Sequence, residues 1–149
     1  EDSAYLSVGV IRPLPGWDQW RLEDFHPFFD ESIRDDLLLE RTSRWEGDVH
    51  CCHFYLNGDC WYSNWEGEGE SIWEGVDNYD KGIHNTLGLL LDLDSGTLSL
   101  YQNGQKLGTL KDRLAGVYCW IASFVVSRSM AMGSASIERG YNVIDAQAN

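Results

Sequence analysis

Apolar and polar positions alternate most clearly in the second half of the chain. Leu98 and Leu100 are interleaved with Thr97, Ser99 and Tyr101, the period of two expected of a strand that buries one face. A second short apolar segment, Leu87-Gly88-Leu89-Leu90-Leu91, precedes it, and Ser95-Gly96 lies between the two, so the pattern predicts a β-hairpin. Asn103-Gly104 follows at once. Both residues adopt positive φ at low cost, which suits a tight turn and predicts a third strand at about 105–110.

The same pattern recurs upstream. Segments 49–56 and 59–65 flank Asn57-Gly58, a dipeptide suited to a type I′ turn, and predict a second hairpin. Residues 5–12 read as a strand closed by Pro13, and 118–126 with 129–137 read as a final antiparallel pair. Only 30–44 carries helical spacing, with Ile33 and Leu37 four apart, Leu38 beside them and Asp30 placed to cap; a short helix inside a long insertion is expected. Segment 66–85, rich in Gly, Glu and Asp, reads mostly as loop. Short strands joined by tight turns, without alternating helices, predict an all-β fold of two packed antiparallel sheets. The expected organisation is one domain over 1–140, with an insertion at about 14–45 and a C-terminal tail at 141–149.

Composition narrows the partners. Eleven Lys and Arg against 24 Asp and Glu give a formal charge of -13, which repels a phosphate backbone, so nucleic acid is not an expected partner. No apolar run approaches the roughly 20 residues of a membrane-spanning helix, and Glu1-Asp2-Ser3-Ala4 lacks the basic and apolar parts of a signal peptide. The expected setting is intracellular, in the cytoplasm. Cys51, Cys52, Cys60 and Cys119 fit reduced thiols there; a bridge from Cys51 or Cys52 to Cys60 across the hairpin, as in a secreted domain, is the alternative.

The run LGLLLDLDSGTLSLYQNGQKLG at 87–108 resembles the signature of the SPRY family, in which a "GVLLD" strand leads to "GTLSFYxNGxxLG". The segment Leu114-Ala115-Gly116-Val117-Tyr118-Cys119-Trp120-Ile121-Ala122-Ser123-Phe124 is similar to the family's "LYPAVSL" strand, and Tyr5-Leu6-Ser7-Val8-Gly9-Val10 to its "WxVGV" strand. The resemblance covers the C-terminal half well and the N-terminal third in outline. It implies a bent, concanavalin-like β-sandwich that acts as a protein-interaction module without catalysis, engaging partners through loops at one end. Two departures from the family pattern matter. A strand with a "YWEV" pattern normally precedes the position of Tyr5, where only four residues stand, so the domain reads as N-terminally incomplete. A sheet edge left open in this way is expected to be covered by a missing chain segment, a second copy or a partner. The insertion at 14–45 is also longer than the family's usual connection.

Seven tryptophans are the unusual feature of the composition. Trp61 and Trp120 fall in predicted strands and are expected in the core. Trp17, Trp20, Trp65 and Trp73 stand among Gly and acidic residues in or beside predicted loops, and are the candidate partner-binding anchors. Packing of those loops onto the sandwich is the competing reading. His50-Cys51-Cys52-His53 holds zinc-type ligands, but neighbours on a strand point to opposite faces, which argues against a shared tetrahedral site. The acidic stretch Glu66-Gly67-Glu68-Gly69-Glu70 supplies oxygen ligands without an EF-hand pattern, and reads as a solvated loop that attracts basic surfaces. No metal or cofactor is expected. No nucleophile, base and orienting group stand in a recognisable relation, so no catalytic residues are assigned. The expected partner is a protein or peptide. A carbohydrate-binding lectin-like module and a structural subunit of a larger assembly are the alternatives.

Overall fold

The computed structural model describes residues 5–14, 31–41, 45, 47–82 and 86–125. It is an all-β sandwich of two antiparallel sheets. The larger sheet contains β1 (Tyr5–Ile11), β2 (Cys51–Tyr55), β3 (Cys60–Ser63), β4 (Glu68–Glu70) and β8 (Cys119–Val125), in the order β4-β3-β2-β1-β8. The smaller contains β5 (Leu87–Asp92), β6 (Thr97–Gln102) and β7 (Gln105–Lys111), in that order. Among the described residues, the helix α1 (Glu31–Glu40) lies within the insertion, and a 3-10 turn at Val76–Asn78 interrupts the acidic loop region.

Register explains which side chains meet. Val8 and Val10 of β1, Cys52 and Phe54 of β2, and Cys60 and Tyr62 of β3 share the inner face, and they pack against Leu98, Leu100 and Leu110 of the opposing sheet. Alternation sends Ile11, Cys51, Tyr55, Trp61, Cys119 and Ile121 to the outer face. That face is not solvated. Leu37, Ile33 and Leu38 of α1 close over it together with Leu14, Trp45 and Trp65, making a second apolar core. The described part of the insertion holds the short helix expected there and works as a cover on the larger sheet.

Several expectations are corrected in detail. β1 is an interior strand, between β2 and β8 and paired on both sides; among the described residues the larger sheet ends at β4 and β8. The Asn57-Gly58 turn is not type I′, because only Gly58 has positive φ, at 102°. The chain instead turns over Tyr55–Gly58, closed by the Gly58 amide donating to the Tyr55 carbonyl at 2.9 Å, with Tyr55 and Asp59 resuming the pairing. Asn103 and Gly104, at φ 51° and 81°, do form the expected turn of two left-handed residues. The strand expected at 129–137 and the tail at 141–149 lie outside the described residues.

Candidate functional site

Of the four tryptophans nominated as anchors, Trp17 and Trp20 lie outside the described residues. Trp65 and Trp73 are buried, 1% and 3% exposed, so neither presents a surface to a partner in this conformation. Trp73 packs edge-on against Phe54, centroids 5.7 Å apart, and its indole N–H donates to the Gly58 carbonyl at 3.0 Å. Gly75 and Gly108 allow this: a Cβ on Gly75 would stand 2.5 Å from the Trp73 ring and from the Leu107 carbonyl oxygen. Trp65 enters the outer core from a turn in which the Ser63 hydroxyl accepts the Trp65 amide at 2.9 Å, and the Asn64 side chain accepts the amides of Glu66 and Gly67. These bonds hold Trp65 at φ 71°, a conformation a bulky residue rarely adopts. For both residues, loop packing prevails over display.

The exposed tryptophan is the one expected inside. Trp120 pairs with Val10 across β1 and β8 and shares the inner face, as Phe124 does through its partner Leu6. The smaller sheet covers that face over β1, β2 and β3, but the inner-face residues of β8 are absent from the core it forms. Trp120 is consequently 51% exposed and Phe124 46%, with Val117 beyond the start of the strand also exposed. The two residues stand four positions apart along the strand, about 13 Å at the usual rise. Sequence pattern missed this pair because both faces of β8 are apolar. Cys119 and Ile121 meet the outer core, whereas Trp120 and Phe124 have no layer above them among the described residues.

A second surface lies at the opposite end of the sheet. Asp48, Tyr62, Asn64, Glu66, Gly67, Glu68 and Gly69 line an open groove of about 410 Å³. Tyr62 lies across β4 at Gly69, where a Cβ would come within 2.6 Å of its ring, and Lys111 stands 4.5 Å from the ring centre. The acidic stretch thus keeps its exposed, anionic character, but Glu68–Glu70 is the edge strand β4 where a loop was expected.

Within the His50–His53 run the residues of β2 alternate, but His50, which precedes the strand, does not: its ring meets Trp45 and Trp65 on the side that Cys51 takes. Cys52 enters the inner core with its sulfur 3.7 Å from that of Cys60, and Cys51 enters the outer one. The described cysteines are all free thiols, and the hydrogen bond with Cys52, together with burial, pushes the Cys60 thiol upward. Burial does the same for Cys51. Raised thiols are poor nucleophiles at neutral pH. Ser7 Oγ and His53 Nδ1 are 2.8 Å apart, the contact of a nucleophile and its base, but both residues are 0% exposed and no substrate reaches them. Among the described residues, no three His, Cys, Asp or Glu side chains converge as metal ligands, and no helix is long and apolar enough to cross a membrane.

No family model, curated protein or solved structure matches this chain.

Proposed function

We propose that this domain is a non-catalytic module that binds another protein, as a peptide or a folded surface, in the way its SPRY-like strand motifs imply. The observation that carries the reading is the pair Trp120 and Phe124, half-exposed on the outermost described strand of the larger sheet. Large aromatic side chains bring contact area at little entropic cost and are enriched among the residues that dominate protein interfaces. The charge of -13 favours encounter with a basic partner and disfavours a second copy of the same chain. Free thiols agree with an intracellular setting.

An exposed indole also stacks on sugar rings, which keeps the lectin-like reading as the rival. The test uses the protein and its Trp120→Ser/Phe124→Ser variant, both confirmed folded by circular dichroism. Each is used to capture partners, and affinity for a purified captured protein is then measured beside a glycan array. The expected result is a saturable protein interaction weakened at least tenfold in the variant. Equal affinity in the two proteins would refute the role of this face, and saturable binding to glycans alone would refute protein recognition.

A further inference from the structure

His50 sits in the outer core, 1% exposed, with its ring centroid 5.2 Å from that of Trp45 and 6.5 Å from that of Trp65. Its main chain is fixed on both sides. The His50 amide donates to the Ser63 carbonyl, and its carbonyl accepts the Arg12 amide, each at 2.8 Å. The imidazole has no such anchorage: neither ring nitrogen makes a hydrogen bond of good geometry, only an approach to the Val49 backbone, and the indole N–H of Trp65 makes none either. A buried polar ring without well-made hydrogen bonds is rare in native proteins and costly, and it invites a reason other than stability.

The surroundings favour the neutral ring. Burial, then Arg12 just after β1 and Arg41 just beyond α1, act against a positive charge on His50, while the Val49 backbone and, less, Asp48 act for one. Arg41 is itself paired with Glu66 at 2.7 Å, a contact that ties the end of α1 to the turn holding Trp65. The imidazole therefore lies beneath the seam where the α1 layer is fastened to the larger sheet.

We propose that His50 is an acid-operated latch: neutral, it lets the α1 layer close over the outer face of the larger sheet, and protonated, it drives that layer off while the inner sandwich stays intact. The closed state would have to hold a desolvated cation packed against the Trp45 and Trp65 rings and within the repulsive field of Arg12 and Arg41, with the Val49 backbone and Asp48 offsetting only part of that cost. The open state gives the ring to water. Release uncovers Ile11, Cys51, Tyr55 and Trp65, an apolar face suited to a second, acid-dependent contact.

The pH window follows from linkage. Burial, then Arg12 and Arg41, lower the closed-state value from 6.5 to about 4, whereas the solvated ring of the open state keeps its ordinary value. Above 6.5 both states are neutral and pH has no effect. Between 6.5 and about 4 only the open state takes the proton, so the open-to-closed ratio rises by up to tenfold per unit of falling pH, roughly 300-fold in all. Below that both are protonated and the effect is complete.

Hydrogen exchange read by mass spectrometry between pH 7.5 and 4.5, corrected for the intrinsic pH dependence of exchange, tests the latch. Peptides from α1 are compared with peptides from β6, in the wild-type protein and in His50→Leu. The expected result is that α1 loses protection by up to tenfold per pH unit below 6.5 while β6 keeps its own. His50→Leu is expected to abolish that slope, since carboxylate titration is common to both proteins. The proposal is overturned if α1 protection does not vary, if it falls equally in the variant, or if β6 opens at the same pH. An NMR titration of the His50 ring needs no variant: a folded-state midpoint near 6.5 also overturns it.

Discussion

At Gly9 a methyl group has nowhere to go. A Cβ there would stand 1.9 Å from the carbonyl oxygen of Cys52, inside the contact distance of any atom pair. The obstacle is backbone, and β1 is held by β2 on one side and β8 on the other, so neither strand can withdraw without breaking a ladder. Gly9→Ala should therefore cost far more than the entropy it saves in the unfolded chain, on the order of 3 kcal/mol or above. A urea unfolding midpoint within error of the wild type would contradict this. His50 is the opposite case, a residue whose space is adequate and whose chemistry is unmet. Trp65 combines both, since its backbone strain is held by the Ser63 and Asn64 hydrogen bonds while its indole N–H goes unused.

Between β5 and β6 the turn is organised by one exposed carboxylate. Asp92 accepts hydrogen bonds from the Ser95 hydroxyl and amide and from the Asp94 amide, which hold its pKa below the ordinary 3.8. The sign is that of a depressed acid: the turn's contribution is present above pH 3.8 and is lost as pH falls through the folded value. Asp92→Ala is expected to lower the melting temperature at pH 7, and its difference from wild type should close as the pH drops below 3.8. A difference independent of pH would assign the loss to something other than this carboxylate. Turns of this kind were legible in the sequence because their chemistry is local: Ser95-Gly96 and Asn103-Gly104 stand where expected, at positive φ where Gly or Asn allows it. The helix at 31–40 was legible for the same reason, through Ile33 and Leu37. What could not be read was anything set by a third element. Trp65 and Trp73 look like loop residues locally and are drawn inward by cores assembled from distant strands. Trp120 looks like a strand residue and is left out because, among the described residues, the opposing sheet stops short of β8.

Across the whole molecule, the larger sheet is shared by two cores of different construction. The inner one joins two sheets through strands paired along their length, so Leu100, 0% exposed on the central strand of the smaller sheet, is tied to the entire sandwich. The outer one gathers α1 and neighbouring loop residues onto one sheet face, and Leu37, 1% exposed, is a buried side chain of that helix. Leucine-to-alanine changes at such sites each remove about 2–5 kcal/mol of local packing. Where that loss is felt depends on which opening reactions expose the site. Leu100→Ala is expected to reduce amide protection in both sheets and to move the urea midpoint in full proportion. Leu37→Ala should accelerate exchange chiefly in α1, leave β6 near its wild-type protection and shift the global midpoint less. If instead both variants lowered protection uniformly, the two layers would form one cooperative unit, and an acid-released cover over an intact sandwich would be physically impossible.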